Sequence, residues 1–333
     1  MDNERKFKVC LISLILLLVT VLLISLFIGS YNTDLIGSVL YGDKLSNTVI
    51  FKIRLPRIIF ASIVGGTLAI CGASLQALYR NSLASPFTLG VSGGASFGAL
   101  LAIKIGLFHS FLGFSFVSIS AFLFSILTML AIYNISKVNG IVSTGKLLLA
   151  GVVANFLYSS FILFIQFFSN FTESLQTLRW IMGSLDIVGY NEIINSLIFV
   201  IPSIIILIST SKDLNVFSLG DDVANSLGVD IKKMERKIYI ATSLSIGAVI
   251  SISGPIGFVG LIIPHILRLI VGADNRILVP CSFLLGASFL TIADTISRTI
   301  ISPVEIPVGI LTACIGGIFF LWLLVKHQND IFI

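Results

Sequence analysis

Apolar stretches follow one another along almost the whole chain, at roughly residues 9–29, 58–78, 91–106, 111–133, 147–168, 193–209, 238–256, 258–270, 277–297 and 306–325. A run of about 20 such residues crosses the hydrocarbon of a bilayer as a helix. Backbone groups in lipid must bond within their own segment, which a helix achieves and an open strand does not. Several runs lack any side-chain period, as helices buried all round do. Charged residues make up only 11% of the chain, with mean hydropathy +1.07, where soluble domains carry about 25%. The expected fold class is therefore all-α: a polytopic transmembrane helical bundle of about ten spans, with residues 1–333 as a single domain. Lys6 and Lys8 before the first run imitate a secretory signal. Val9 to Ile28 is long enough to span, however, and no small-residue cleavage site closes it, so it reads as a retained first helix.

One long polar segment interrupts this pattern. Ser211 to Lys237 holds ten of the 37 charged side chains and is flanked by apolar blocks, so it must emerge from the membrane. It is the one long handle offered to a soluble partner. With the N-terminus placed in the cytoplasm and ten spans threaded, fourteen Lys and Arg fall inside and seven outside, Lys44 among the latter. Cytoplasmic loops carry the excess of Lys and Arg, so both termini are expected in the cytoplasm of a multi-pass protein of the cell membrane. The same rule explains the net charge of +5 without nucleic acid. Arg54 and Arg57, in Arg-Leu-Pro-Arg, stand on the side that disfavours them.

Small residues crowd 65–74, 90–99 and 309–317. Gly, Ala and Ser let helix backbones approach closely in lipid, so these runs serve bundle packing, or they line a pathway or a subunit interface. The segment 238–270 is broken at Ser251 to Gly260, with three Gly and a Pro at its centre. Broken helices at membrane depth need protein or water over the freed backbone, which puts this one inside the bundle. Cys10, Cys71, Cys281 and Cys314 have no pair spacing and read as small packing residues, not as a metal or disulfide set.

No catalytic or metal constellation is present. His109, His265 and His327 are scattered. Gly140 to Lys146 fits the phosphate-loop spacing, but Leu147 stands where Ser or Thr should hold magnesium, and a span follows. The chain is read as a non-enzyme without cofactor. Active transport would then draw on an ion gradient or on another protein.

The motifs in order are Arg54-Leu-Pro-Arg57, Gly72-Ala-Ser-Leu-Gln76, Asn81 to Pro86, Leu89-Gly90, Leu148 to Gly151 and Trp180-Ile-Met-Gly183. Leu219-Gly220, Leu227-Gly228, Gly254-Pro-Ile-Gly-Phe-Val-Gly260, Pro264 to Arg268, Ala293-Asp294 and Ile306-Pro-Val-Gly309 complete the series. This order resembles the FecCD-type permeases, the membrane subunits of ABC importers for iron–siderophore complexes, haem and vitamin B12. The resemblance covers nearly all of the chain after residue 50. It implies a vitamin B12 importer permease-like fold and a second permease subunit, the same or a paralogue. It also implies two cytoplasmic ATPases that bind the ATP, and an extracytoplasmic substrate-binding protein. An iron(III)–siderophore complex is the expected substrate class, with an ion-gradient-driven secondary transporter as the competing reading.

Residue roles follow from the same resemblance. Leu219, Gly220, Asp221, Asp222, Val223, Ala224, Leu227 and Gly228 match the ATPase-coupling segment, as one or two short helices between glycine turns. The acids suit a helix N-terminus, and Val223, Ala224 and Leu227 would form its apolar face; a solvated connector is the plain alternative. Arg54, Arg57 and Arg298 match outer arginines that pair with carboxylates of the binding protein, against a reading as headgroup contacts. Asp294 is either a functional intramembrane acid or an i,i+4 partner of Arg298. Ser143 and Thr144 fall near the family's cytoplasmic gate, although Gly145 replaces the small hydroxyl often found next. Asn155, Ser159 and Gln166 share roughly one face of the fifth span, with Ser160 beside them; they line the pathway or bond between helices.

Overall fold

The computed structural model describes residues 3–29, 47–106, 110–111, 114–138 and 141–326. Lys44, His109, Gly140 and His327 lie outside the described residues. Thirteen α-helices run through the described chain: α1 (Asn3–Phe27), α2 (Leu55–Leu78), α3 (Val91–Ile105), α4 (Phe116–Ile135), α5 (Thr144–Phe167), α6 (Phe171–Ile181), α7 (Asn191–Ser209), α8 (Ser211–Phe217), α9 (Asp221–Ser226), α10 (Ile231–Ser253), α11 (Val259–Val271), α12 (Asn275–Thr299) and α13 (Val308–Lys326). Val49–Arg54 leads into α2 in wider, π-helical turns. Two short antiparallel hairpins, Ser110–Phe111 with Phe114–Ser115 and Lys137–Val138 with Ile141–Val142, precede α4 and α5.

The ten apolar runs correspond one for one to α1–α5, α7 and α10–α13. Among the described residues six helices are long and apolar enough to cross a membrane, and α3, α11 and α13 are shorter apolar helices. The polar segment is no loop. It forms α8 and α9, and its basic run makes the first turns of α10, capped where Asp230 accepts from the Lys233 N–H at 3.0 Å. Helix α6 falls between the expected spans. It is started by a capping box in which Asn170 Oδ1 accepts from the Glu173 N–H (2.9 Å) and Glu173 Oε2 from the Asn170 N–H (3.3 Å).

Helices α2 and α12 are buried along most of their length and form the centre of the bundle, while α1 and α5 expose most of theirs. The centre is built on absent side chains. A Cβ on Gly65 would stand 2.3 Å from the Gly286 carbonyl oxygen, and one on Gly72 would stand 2.0 Å from that of Gly260. Helix α2 thus touches α12 and α11 backbone to backbone, the close approach that stabilises helix pairs in lipid. In 65–74 the small residues serve packing. In 90–99 they divide, since Gly94 and Gly98 pack on α4 while Gly93 faces Asn155. The four cysteines are free thiols; Cys10 and Cys281, far apart in sequence, bring their sulfurs to 3.7 Å between α1 and α12.

Candidate functional site

A cavity of about 580 Å³ opens between α3, α5, α6, the α10–α11 break and α13. Asn155, Ser159 and Gln166 of α5 line it, as the spacing of four and then seven residues on one helical face allows. Ser92 and Ser96 of α3 add hydroxyls, and Met182, Phe258 and Ile310 supply apolar wall. Asn155 also donates from Nδ2 to the Phe87 carbonyl at 3.1 Å, so it bonds between segments while facing the cavity. Ser160 turns back to the Phe156 carbonyl of its own helix. Ser143 and Thr144 begin α5 and are not among the lining residues.

Three distant motifs build one wall. Gly309 N–H donates to the Gly183 carbonyl (3.2 Å) and Ser184 N–H to that of Ser253 (2.8 Å). A Cβ on Gly309 would meet the Met182 carbonyl at 2.3 Å, and one on Gly254 the Trp180 carbonyl at 2.3 Å. The end of α6, the broken helix and the start of α13 therefore cross as bare backbone. As expected, the break is buried and covered by protein: Gly254, Ile256 and Gly257 are all buried.

Beyond this junction lies a cluster of ions. Arg57 Nε and Nη2 hold Asp294 Oδ1 at 3.1 and 2.9 Å, while Nη1 meets Asp186 at 2.5 Å and Glu305 at 2.6 Å. Asp294 also receives Arg298 Nε at 3.1 Å, the i,i+4 pair. Arg298 Nη2 reaches Ser25 Oγ of α1 at 3.0 Å, and Arg54 Nη1 donates to the Leu26 carbonyl at 3.3 Å. Arg54, Arg57 and Arg298 are only 4, 7 and 3% exposed. These arginines, expected to meet a docking protein, are turned into the fold of the chain itself. The chain supplies its own carboxylates to Arg57, at 186, 294 and 305, and to Arg298, at 294, while Arg54 bonds the Leu26 carbonyl. Helices α1, α2 and α12 are joined through this cluster to the segments that follow α6 and precede α13. Asp186 and Glu305 went unnoticed in the sequence, where neither has a telling spacing to Arg57.

At the far end of α2 the short helices present a different surface. Leu219, Val223 and Leu227 are exposed, at 67, 40 and 64%. Ala224 is buried and is not part of that face, since it is turned about 100° from Val223 on the helix. Gly220 (φ 121°) and Gly228 (φ 84°) make the turns on either side. Helix α8 is held to the start of α12, where Asn215 Nδ2 donates to Asp274 Oδ1 at 2.6 Å and the Asn275 N–H donates to Asn215 Oδ1 at 2.8 Å. Arg276 bonds the same carboxylate at 2.6 Å and, as the main cause, holds the Asp274 carboxyl down at about 2. A depressed acid contributes stability above its unfolded pKa of about 3.9 and loses it as pH falls through the folded value. Wild type should therefore exceed Asp274→Asn in thermal midpoint at pH 5, and the difference should vanish toward pH 2. Solvent screening at the exposed Arg276 keeps the gap small.

An all-helical bundle with a polar-lined cavity, a buried ion cluster and an exposed short-helix surface defines a multi-pass membrane protein. The chain belongs to the FecCD transport family, which matches residues 16–326, and its class is a transport permease, not an enzyme. It is 40% identical over 294 residues to the uncharacterized ABC transporter permease protein YvrB of Bacillus subtilis, covering 88% of this chain and 83% of that one. It is 35% identical over 281 residues to the hemin transport system permease protein HmuU of Yersinia pestis, covering 84% of each. Its fold matches a solved inward-facing metal-chelate type ABC transporter with TM-score 0.84 and 34% identity, over 96% of this chain and 99% of that one.

Proposed function

We propose that this chain is the permease subunit of a binding-protein-dependent ABC importer for iron(III)–siderophore complexes, and that residues 1–333 form its single transmembrane domain. A second permease, a copy or a paralogue, closes the pathway. Two cytoplasmic ATPases bind ATP, and an extracytoplasmic binding protein delivers the substrate. The observation that carries this reading is the cavity wall formed by Asn155, Ser159 and Gln166. It gives amide and hydroxyl groups to a large polar chelate without a charge to trap it. The haem and metal-chelate relatives support a chelated metal as cargo. An ion-gradient mechanism needs an intramembrane acid free to exchange its ion, whereas Asp294 is held by Arg57 and Arg298. Both termini and α8–α9 lie on the cytoplasmic side in this reading, with Ser143 and Thr144 at the same end of α5.

The ATPase docks on Leu219, Val223 and Leu227, with Asp221 and Asp222 at the start of α9. Burying one leucine contributes about 1.5–3 kcal/mol, and 1.4 kcal/mol is a factor of ten. Leu219→Asp with Leu227→Asp should weaken association with the co-expressed ATPase by about 100-fold or more, read as loss of stoichiometric co-purification. Full retention of the ATPase would overturn the docking surface.

A further inference from the structure

We infer that Arg80 is a positioning residue that clamps α8 and α9 to the end of α2, and so passes their movement to the cavity. The inference rests on the reading of α8–α9 as the ATPase-facing surface. Arg80 makes three contacts with these two helices. Nη2 donates to the Phe217 carbonyl at 2.6 Å and to Asp221 Oδ1 at 2.6 Å, and the guanidinium lies 4.0 Å from the centre of the Phe217 ring. A planar fork can satisfy a carbonyl, a carboxylate and a ring face at once, which a lysine cannot.

The backbone singles out the same residue. Arg80 takes φ 46°, a left-handed conformation that side chains other than Gly rarely adopt, and one that persists where surroundings over-determine it. The side chain and Asp221 are both about half exposed, so the pair adds little to stability. Its value is in where it leads. Asn81 N–H returns to the Gln76 carbonyl at 3.1 Å, and Gln76 Nε2 donates to the Gly260 carbonyl at 3.2 Å. Gly257 and Phe258, just before Gly260, line the cavity. Contact is thus continuous from the exposed short helices, through Arg80 and the last turn of α2, to the cavity wall.

The test uses the permease assembled with its ATPase in liposomes, with a cysteine at Ser159 in a Cys314→Ala background. Labelling by a water-soluble maleimide is compared with and without ATP–vanadate. With Arg80 present, nucleotide should change the labelling rate several-fold. Arg80→Gly keeps the left-handed backbone without strain and deletes only the clamp. It should retain the ATPase and the thermal midpoint yet abolish the nucleotide response, and Arg80→Lys should restore only part of it. An unchanged nucleotide response in Arg80→Gly would overturn the inference and leave the docking surface standing. Labelling indifferent to nucleotide with Arg80 in place would instead overturn the pathway and coupling reading beneath it.

Discussion

Asp294→Ala should destabilise the bundle by about 3–5 kcal/mol, the cost of removing one partner from a buried charge pair. Asp294 is fully buried and forms an ion pair with both Arg57 and Arg298. Without it, Arg57 keeps Asp186 and Glu305, but Arg298 is left with the hydroxyls of Ser25 and Thr295. A guanidinium at 3% exposure then loses its directly bonded carboxylate and keeps the more distant charge of Glu305. Asp294→Asn preserves shape and hydrogen-bond acceptance, so it should fall between wild type and Ala. The measurement is thermal unfolding of the purified protein in detergent. Arg57→Ala belongs in the same series, since it separates the two roles proposed for that residue. A docking arginine would lose the binding protein at constant midpoint, while a structural hub lowers the midpoint first. An unchanged midpoint in Arg57→Ala would return that residue to the rim.

The same residue shows where the sequence stops being legible. Counting Lys and Arg located Arg54 and Arg57 as anomalous. The direction of Arg57 depends on acids at 186, 294 and 305, and only the packing of α2 against α12 and of the segments after α6 and before α13 brings those within reach. The long helices were legible because twenty apolar residues have few alternatives in lipid. Helix α6 was missed because its polar and apolar residues mix, although the capping box at Asn170 and Glu173 is written in the sequence. Helical spacing put Asn155, Ser159 and Gln166 on one face of α5, but that this face meets a cavity was implied only by the family resemblance, with bonding between helices as the alternative. Ala224 was misplaced against that same rule: Val223 and Leu227 are four apart and share a face, while Ala224 lies a third of a turn away, against the core. No local signal announces the crossing of Met182-Gly183, Gly254-Pro255 and Val308-Gly309. What each glycine avoids is a carbonyl from another part of the chain.

That crossing supports a second strong expectation. Gly254→Ala meets two penalties at once. Its backbone, at φ 66° and ψ −175°, lies in a region open essentially to glycine alone, which costs other residues about 1–3 kcal/mol. Its Cβ would also stand 2.3 Å from the Trp180 carbonyl oxygen, a backbone atom that cannot swing aside, and overpacking of this kind costs about 1–3 kcal/mol. Together the variant should lose about 2–6 kcal/mol and push the end of α6 away from the broken helix. Ser253 loses its hold on the Ser184 N–H in the process, so the wall between α6 and α13 loosens. Substrate uptake by the assembled importer should fall at least tenfold even at temperatures where the variant remains folded. Gly257→Ala is the matched comparison. It lies three residues on and lines the cavity, yet its Cβ would make only an ordinary 3.9 Å contact with the Phe87 ring. Without a clash or a positive φ it should change stability by no more than about 0.5 kcal/mol. If both substitutions lower the midpoint equally, chain flexibility at the break is what matters and the carbonyl contact is not. If only Gly254→Ala does, the cavity wall is set by the backbone crossing with α6.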